Sequence, residues 1–512
     1  MSLKKEKSNL VFNEKLEKIT AISQSRGIFF NTASIYGGRA GFFTYGHLGK
    51  AIKNNWEALW RKYILGLDNN FFEIQGNNIL PEKVFEASGH IENFNDPFVQ
   101  CQKCNSKFRA DHLLEKAGMK NTEALNFDEI NSNIKNKNIT CEFCKGKLGE
   151  VKQFNMMFSL FVGATNPEKA YLSPETAQAA YLAFKEEFYA TREKLPLGLA
   201  IIDKAYRNEI SPRQMFFRLR EFTQAELQIF FDPDEINKHE KWNEVEKNEL
   251  LIKFSDKKNI QRISCKELNK KYKLPKFYLY YLSKVQSFYL DLLDIPEKKF
   301  RLRELNRKER AFYNKIHFDV ELEFSSLGDF KEVAGIHYRT DHDLLGHQKI
   351  SNKKLQISYD GKKFIPHVLE LSFGVDRNIY ALLDSFYNKG KEGAMFSFPA
   401  ILAPYSCAVL PLVKANKELV SISKNIFENL KKELNVFYDD SGSIGRRYAR
   451  NDEVGIPYCI TIDQESIKNN EVTVRERDTT NQIRVKISDL KEILHKLINK
   501  EIKFEKEGKL LK

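Results

Sequence analysis

A run of charged and aromatic residues, Tyr206–Glu226, carries the side-chain types that a phosphate-bearing ligand needs. Because side chains alternate between the two faces of a strand, a strand from Phe217 onward would place on one face Arg218, Arg220, Phe222, Gln224, Glu226 and Gln228. The guanidinium groups, the aromatic ring and the carboxylate of that face suit a ligand with phosphates, a stackable base and an ammonium group. A solvated strand face with crossed ion pairs is the more ordinary interpretation of the alternation alone.

A second cluster, Glu370–Arg377, combines the polar face of a predicted strand with a glycine and an arginine. Alternation puts apolar side chains on one side of this strand and, on the other side, Glu370, Ser372 and Gly374. A glycine between a polar strand face and an arginine allows a ligand to approach the backbone closely. By itself this spacing is a weak motif.

Two Cys-x-x-Cys pairs, Cys101/Cys104 and Cys141/Cys144, have the spacing of a metal site. In a reducing compartment such pairs favour a metal over disulfides. Four thiolates complete a tetrahedral zinc shell and leave no open position for chemistry, so we expect a structural Zn²⁺. The ion would tie down a polar loop, 105–140, that lacks a core of its own.

Bulk composition predicts a globular protein without a membrane-spanning segment. The chain has 512 residues, 42% of them hydrophobic, and no apolar run near the length of a membrane span or a signal-peptide core. We therefore expect two or three domains in a cytoplasmic protein with no membrane partner. The formal net charge of +13 favours a polyanion such as nucleic acid, although a lysine-rich surface is also a common solubility device.

Periodicity indicates the elements that must position these residues. Helical spacing predicts a helix from Lys50 to Leu65 with a wide aromatic stripe, which suits either a core or a subunit interface. Ser173-Pro174-Glu175 resembles a helix start, with serine as the N-cap. Strand-like patterns cover 199–209, 216–231, 317–324 and 367–373.

Changes of composition indicate how the chain is divided. Residues 1–395 form the larger predicted domain, with insertions at 97–150, which holds the cysteine pairs, and at 232–310, which is lysine-rich and has no chemical motif. Residues 396–512 alternate short apolar runs with amphipathic helical segments, which predicts a small α/β domain.

In combination these elements resemble the class II aminoacyl-tRNA synthetases, and within them the homodimeric glycyl-tRNA synthetase type. Tyr206–Glu226 is similar to motif 2 of that class, Gly374–Arg377 to motif 3, and Gly41–Trp60 to motif 1, which forms the dimer interface in the family. Further stretches that are typical of the family are Glu86–His90, Phe108–His112, Tyr171–Ala177, Gly335–Asp341 and Val472–Asp478. The resemblance covers nearly the whole chain.

The resemblance implies a fold class and a reaction. The fold would be α/β (α+β), with an antiparallel-sheet catalytic core in 1–395 and an anticodon-binding α/β domain in 396–512. The reaction would be activation of glycine by ATP with Mg²⁺ to glycyl-adenylate, followed by transfer to the 3′ end of tRNA(Gly), in a homodimer. The alternatives are a non-catalytic synthetase-like subunit that binds nucleic acid and a class II synthetase for another small amino acid.

Residue roles are also implied by the resemblance. Arg207 would hold the α-phosphate of ATP and the reacting carboxylate, and Arg377 would clamp the γ-phosphate, which makes these two the catalytic residues. The implied ATP-binding positions are Arg207, Asn208, Glu209, Phe217, Arg218, Leu219, Arg220, Glu221, Phe222, Glu332, Val333, Gly374, Val375, Asp376 and Arg377. The implied glycine-binding positions, whose acidic groups would grip the α-ammonium, are Arg109, Glu175, Phe222, Thr223, Gln224, Ala225, Glu226, Glu370, Leu371, Ser372, Phe373 and Gly374.

Several of these residues also have simpler interpretations. Glu175 could serve only as a favourable charge in the first turn of a helix. Arg109 could be solvated beside the cysteines, and Arg377 could be a surface arginine. In the C-terminal segment, the turn Asp439–Tyr448 and the strand Arg475–Arg477 offer basic and aromatic groups suited to splayed single-stranded bases.

Overall fold

A computed structural model describes residues 2–119, 122, 125–210, 212, 215–311, 313–390 and 393–511, with side chains from residue 14 onward. Ser211, Arg213 and Gln214 of the Tyr206–Glu226 run lie outside the described residues. So do four positions of the predicted polar loop 105–140, namely 120, 121, 123 and 124.

The N-terminal part of the chain alternates short strands with helices. In chain order these are α1 (Ser2–Arg26), β1 (Phe29–Asn31), β2 (Phe43–Tyr45), α2 (His47–Ile64), β3 (Phe71–Glu73), β4 (Ile79–Pro81), α3 (Glu82–Ala87) and α4 (His90–Asn93). The cysteine-bearing stretch follows with β5 (Asn95–Gln100), β6 (Lys107–Arg109), α5 (Ala110–Lys116), α6 (Phe127–Asn136), β7 (Lys152–Asn155), β8 (Ser159–Val162), β9 (Glu168–Leu172) and α7 (Ala177–Ala190).

The central part supplies the long strands. It contains β10 (Leu197–Tyr206), β11 (Glu221–Phe231), α8 (Trp242–Val245), β12 (Glu249–Lys253), β13 (Gln261–Ser264), α9 (Cys265–Tyr272), α10 (Lys276–Ser287), β14 (Phe300–Glu304), β15 (Ile316–Phe324), β16 (Asp329–Thr340), α11 (His342–Ser351), β17 (Ile357–Tyr359), β18 (Lys362–Phe364), β19 (His367–Gly374) and α12 (Val375–Phe386). The C-terminal part contains β20 (Tyr387–Gly390), β21 (Gly393–Phe396), β22 (Cys407–Pro411), α13 (Lys417–Leu430), β23 (Val436–Tyr438), α14 (Ile444–Glu453), β24 (Tyr458–Ile462), α15 (Gln464–Asn469), β25 (Glu471–Glu476), β26 (Gln482–Lys486), α16 (Leu490–Ile498) and β27 (Lys509–Leu511).

A nine-stranded sheet forms the centre of the larger part, in the order β13-β12-β14-β15-β16-β19-β11-β10-β3. All neighbours are antiparallel except β12/β14 and β10/β3. The predicted insertion 232–310 supplies three of these strands at one edge. The sheet and its helices agree with the predicted α/β (α+β) class.

One face of this sheet is covered by the hydrophobic core. Trp56 of α2 packs edge-on against Phe373 of β19 and Phe288 beyond α10. Trp56 and Trp60 are fully buried, so the aromatic stripe of α2 belongs to the core of its own chain. Burial of such large rings is the main source of stability for the sheet.

The other face of the sheet is covered only in part. Phe184 of α7 stacks on Phe230 of β11 at a centroid distance of 4.3 Å, which closes the C-terminal half of β11. Nearer the start of β11 this face carries polar side chains and remains open. The cavity described below lies at that opening.

Two predicted boundaries were wrong. The second strand begins at Glu221 and not at Phe216, because 215–217 form a short 3-10 turn and the chain crosses over before it pairs with β10. Helix α7 begins at Ala177, after a bend at 174–176, so Ser173 is not its N-cap. Both differences shift side chains from regular elements into loops beside the cavity.

A six-stranded sheet, ordered β23-β22-β24-β25-β26-β27, forms the C-terminal part. Its predicted strand-like runs at 436–438, 458–462 and 472–475 are all strands, and the predicted helix 415–434 spans Lys417–Leu430. Among the described residues, no helix is both long enough and apolar enough to cross a lipid bilayer.

Candidate active site

Two rows of side chains cross four neighbouring strands on the open face of the large sheet. In the first row Glu226 of β11 pairs with Ser372 of β19, which pairs with Gly335 of β16 and then with Asp319 of β15. In the second row, Gln228, Glu370, His337 and His317 are paired in the same strand order. The pairing places three carboxylates and two imidazoles within two adjacent rows.

These rows form the acidic end of a cavity of about 220 Å³. Its walls come from the central strands, from the loop before α7 and from the crossover between β10 and β11. The lining residues are Glu175, Arg207, Glu209, Phe216, Phe217, Leu219, Phe222, Thr223, Gln224, Glu226, Tyr313, Glu332, Ala334, His337, Glu370, Ser372, Gly374, Asp376 and Arg377. A cavity with carboxylates at one end and arginines at the other can bind a ligand of both charges.

Glu226 lies at the floor of the acidic end and is held by two hydroxyl groups. Thr176 Oγ1 and Ser372 Oγ each donate a hydrogen bond to its carboxylate at 2.7 Å. The pKa of Glu226 is raised to about 8, mainly by burial and also by the neighbouring Glu370 and Glu175 carboxylates, while the two hydroxyls oppose the shift. A cation beside this carboxylate would therefore be strongly stabilised.

Arg339 is the guanidinium that balances the remaining buried carboxylates. It forms a bidentate pair with Asp343 at 2.8 and 2.9 Å and donates to Glu370 at 2.8 Å. Its distance to Glu175 is 3.6 Å. The side chain is only 1% exposed. Burial alone would raise the pKa of Glu175, but the charges of Arg339 and His90 outweigh it and hold that pKa well below its usual value.

The opposite end of the cavity presents Arg207 and Arg377. The guanidinium of Arg207 lies over the rings of Phe94 and Phe222, at 5.4 and 5.2 Å from the two centroids, and donates to the carbonyl of Pro174. Arg377 forms an ion pair with Glu332 at 3.1 Å. Stacked and paired in this way, both guanidinium groups are oriented before any anion binds.

The motif 1 region holds the start of β11 and α12 from behind. Tyr45 Oη donates to Asp376 at 2.6 Å, and the other oxygen of Asp376 accepts from the backbone N–H of Thr223 at 2.5 Å. Lys53 donates to the hydroxyl of Thr223 at 2.5 Å. Asp376 is 3% exposed, so its carboxylate is part of the scaffold that joins these elements.

Comparison with known proteins places this geometry in a family. Residues 161–386 match the family described as "tRNA synthetase class II core domain (G, H, P, S and T)", and residues 406–497 match the "Anticodon binding domain" family. The chain is 37% identical to glycine–tRNA ligases of Pyrococcus abyssi and Thermococcus sibiricus, over 95% and 96% of this chain and 99% and 100% of theirs. A glycine–tRNA ligase of Methanococcus maripaludis is 34% identical over 93% of this chain and 98% of its own length.

The chain belongs to the glycine–tRNA ligase family. Matches over nearly the full length of both partners confirm the resemblance drawn from the motifs, together with the class II core and the anticodon-binding fold. The cavity brings together residues of the predicted motifs 2 and 3, whereas the motif 1 region supports these elements from behind.

Most residues implied for glycine and ATP line the cavity, but ten do not. Val333, Val375, Ala225, Leu371 and Phe373 are buried in the core on the opposite side of the sheet, as alternation requires. The other five lie outside the lining: Arg109, Asn208, Arg218, Arg220 and Glu221. Side chains of the first five can act only through the backbone or through packing.

The predicted alignment of Arg218 and Arg220 with Phe222 on one strand face was wrong, because 217–220 are not in a strand. Arg218 contacts the imidazole of His112 at 2.7 Å. Arg220 donates to the backbone carbonyls of Glu209 and Ala40. Each arginine therefore braces a loop beside the cavity.

Arg109 does not line this cavity. It pairs with Asp96 at 2.9 Å and with Asp111 at 2.5 Å. Together these contacts fix the junction of β6 and α5, so Arg109 is ion-paired and does not occupy the solvated position of the simpler interpretation.

Sequence reasoning missed several residues that line the cavity or contact its lining. His337 and Arg339 lie in the quoted stretch Gly335–Asp341 but were given no role, although alternation along β16 places them on the face of Gly335. Tyr313 lies in a loop with no periodic signal. Thr176 was hidden because the helix start was placed three residues too early.

The four paired cysteines lie together, with their sulfur atoms all within 4.8 Å of one another. The Cys101–Cys144 and Cys104–Cys141 sulfur distances are both 3.5 Å, close to the separation in a tetrahedral thiolate site and far longer than a disulfide bond. Backbone N–H groups of Lys103 and Cys104 point at Cys101 Sγ. The donor set fits a tetrahedral metal ion.

The segment between the cysteine pairs is not the coreless loop that was predicted. Helices α5 and α6 bury a small hydrophobic cluster of Val99, Phe108, Leu113, Leu114, Ile130, Ile134 and Leu148. The polar composition hid this core because its apolar residues are spread thinly over two short helices, two strands and the stretch around Leu148.

Two arginines predicted to be available to bases in the C-terminal part are buried instead. Arg475 forms a bidentate pair with Asp452 at 2.8 and 2.9 Å. Arg477 donates to the carbonyls of Gly455 and Phe398. Both are 3% exposed, so they serve as internal scaffold, and Arg446 of α14 remains exposed on the surface.

Replacing Arg339 by methionine should destabilise the fold strongly. The change leaves the carboxylates of Asp343, Glu370 and Glu175 buried without their cation, which typically costs about 3–5 kcal/mol. The measurement is thermal melting at pH 8 and at pH 5.5, with the exposed Arg446→Met as the matched control. At pH 5.5 the difference in melting temperature between Arg339→Met and the control should be smaller, because protonated carboxyls need no counter-charge. Equal melting of the two variants at pH 8 would contradict this assignment.

Proposed function

We propose that this chain activates glycine with ATP and transfers the glycyl group to tRNA(Gly). The observation that carries the proposal is the excess of buried carboxylates at one end of the cavity. Glu226 has no cationic partner among the described residues, whereas Glu175 and Glu370 share Arg339 with Asp343. An ammonium group of a small ligand supplies the missing positive charge.

The proposed site residues act at two ends of the cavity. The α-ammonium of glycine lies at Glu226, near Glu175, Glu370 and the Ser372 hydroxyl, and its carboxylate is directed toward Arg207. The carboxylate attacks the α-phosphorus of ATP, pyrophosphate leaves, and the terminal ribose hydroxyl of the tRNA then takes the glycyl group.

Preorganised charge supplies the catalysis. Negative charge grows on the α-phosphoryl oxygens in the transition state, where a guanidinium already held in place requires no reorganisation. Stacking between Phe94 and Phe222 keeps Arg207 in that position. Arg377, which lines the cavity beside Glu332, would hold the terminal phosphates.

ATP is expected to enter with Mg²⁺, which neutralises phosphate charge. Carboxylate oxygens are the ligands that this ion prefers. Glu332 is half-exposed beside Arg377, and Glu209 Oε2 is buried with no hydrogen-bond partner among the described residues. Both carboxylates line the cavity, so the residues present fit the ion.

The remaining parts of the proposal rest on the family. The proposal includes a homodimer because the resemblance to the family implies one. It includes a cytoplasmic location because the product, glycyl-tRNA, is consumed by translation. The chain is accordingly divided into a catalytic core domain, 1–395, with insertions at 97–150 and 232–310, and an anticodon-binding domain, 396–512. A non-catalytic relative is disfavoured, since Arg207, Glu226 and Arg377 are all in the cavity.

The test is amino-acid-dependent exchange of pyrophosphate into ATP, with glycine, alanine, serine, threonine and proline supplied one at a time. We expect exchange with glycine alone, followed by glycine-dependent charging of tRNA(Gly). Exchange with a different amino acid would support the proposed reaction but show that glycine is not its substrate. Folded protein that supports no exchange would favour the non-catalytic relative.

The KM for glycine should depend on pH through Glu226. Its raised pKa of about 8 keeps the carboxyl protonated below that pH, so binding an ammonium must displace a proton. We expect the KM for glycine to fall as pH rises from 6.5 toward 8 and then to level off, while the KM for ATP changes little.

Glu226→Gln is the matched variant, because an amide of the same shape cannot ionise. Loss of the charged hydrogen bond should raise the KM for glycine by about 10–100-fold and remove its pH dependence. A variant that keeps the wild-type pH profile would show that another group binds the ammonium.

We propose Zn²⁺ as the ion of the four-cysteine site. Purified protein should contain about one zinc per chain by elemental analysis, since four thiolates and no open position suit a structural ion. Cys141→Ser should lose the metal and lower the melting temperature. The control Cys459→Ala, at a buried cysteine distant in the chain from the site, should retain it. Full zinc content in Cys141→Ser would contradict the proposal.

A further inference from the structure

The first polar row at the acidic end of the cavity has one position without a side chain. Gly335 lies in the first polar row between Ser372 and Asp319, and it contributes no side chain of its own. Its neighbours toward the substrate are therefore the hydroxyl of Ser372 and, one strand further, the carboxylate of Glu226. A vacancy over Gly335 would be adjacent to the proposed ammonium site.

The imidazole of His337 fills that space. A Cβ atom built on Gly335 would lie 2.4 Å from His337 Nε2, which is closer than real Cβ atoms come to a neighbour, and 3.0 Å from its Cε1. The ring therefore leans along β16 and covers Gly335 Cα. His337 also lines the cavity, so the ring forms part of its wall.

Neighbouring groups hold the ring in this position from three sides. His317 packs behind it at a centroid distance of 4.0 Å, and Asn314 Nδ2 lies 3.0 Å from His337 Nδ1. Nε2 lies 3.6 Å from Glu370 Oε1. An amide that donates to Nδ1 leaves the proton on Nε2, directed toward Glu370.

The charge state of the ring agrees with this role. Burial holds the pKa of His337 well below its usual value, and the charges of His317 and Arg339 lower it further. Glu175 acts in the opposite direction but does not outweigh them. A neutral ring adds bulk to the pocket without neutralising the carboxylates that bind the ammonium.

We propose that His337 is the specificity-determining residue that restricts this site to glycine, by filling the space into which the β-carbon of alanine or serine would project. The ring cannot swing aside without losing its contacts with Asn314 and His317. Exclusion of a larger substrate by such a wall is effective, in contrast to rejection of a substrate that is smaller by one methylene. The inference rests on the proposed function, since it assumes that glycine is activated here.

The test compares His337→Gly and His337→Ala with the wild type in pyrophosphate exchange, using glycine, alanine and serine. We expect the ratio of kcat/KM for alanine to that for glycine to rise at least tenfold in His337→Gly and by less in His337→Ala. His495→Ala, at a half-exposed histidine of α16, is the matched control and should leave the ratio unchanged. A ratio that stays at the wild-type value in both His337 variants, with glycine activity retained, would overturn the inference.

A binding measurement keeps the inference testable if the variants lose activity. Glycyl- and alanyl-sulfamoyl adenosine, which mimic the two adenylates, can be compared by thermal shift without any turnover. The wild type should be stabilised by the glycyl compound alone, and His337→Gly by both. Stabilisation of His337→Gly by the glycyl compound only would contradict the proposal that the His337 ring excludes alanine. Stabilisation of the wild type by both compounds would contradict it as well.

Failure of the proposed function gives a different result. Wild-type protein that shows no glycine-dependent exchange and no shift with glycyl-sulfamoyl adenosine would overturn the proposed function and, with it, this inference. Wild-type protein that activates glycine, with unchanged discrimination in the variants, would overturn the role of His337 alone.

Discussion

The buried charge balance around Arg339 is the constraint on which the site depends. One guanidinium, 1% exposed, is shared by Asp343, Glu370 and Glu175, and Glu226 lies beyond its reach. A fully paired cluster would bind nothing, and a cluster without Arg339 would cost too much to bury. The arrangement leaves one carboxylate in excess, and in the proposed function that excess binds the ammonium group of glycine. In this proposal the same buried charges therefore determine both the stability of the fold and the binding of substrate.

The antiparallel sheet converts this balance into a geometry. Register pairs Glu226 with Ser372 and Glu370 with His337, so each acidic group has a defined neighbour on the next strand. A slip of one residue would move the whole polar face into the core. The motif 1 region prevents such a slip at the start of β11, where Asp376 joins Tyr45 to the backbone of Thr223. Elements that are distant in the sequence, α2 and α12, thereby hold the strand that bears Glu226.

Local pattern predicted the parts of the site that lie on regular strands. Alternation correctly put Glu226 on one face of β11, and Glu370 with Ser372 on one face of β19, because both strands are half-buried and their period is two. It failed for Arg218 and Arg220, which belong to a crossover whose shape depends on contacts with His112 and Ala40. The prediction that Arg475 and Arg477 are available to bases failed for a related reason. Their burial beside Asp452 and backbone carbonyls produces no periodic pattern in such a short stretch of sequence.

The residues that the family resemblance left without a role are those that complete the pocket. Motif matching predicts the charged residues of the site well, because the reaction itself requires a guanidinium or a carboxylate. It predicts the shape of the pocket poorly, because the space above Gly335 depends on how one imidazole packs against His317 and Asn314. A pocket for the smallest amino acid is defined mainly by what fills the space beyond its α-carbon. In the proposed site the open face of the sheet therefore has two functions, since the carboxylates of β11 and β19 attract the ammonium group and the neutral ring of His337 on β16 limits what else can enter.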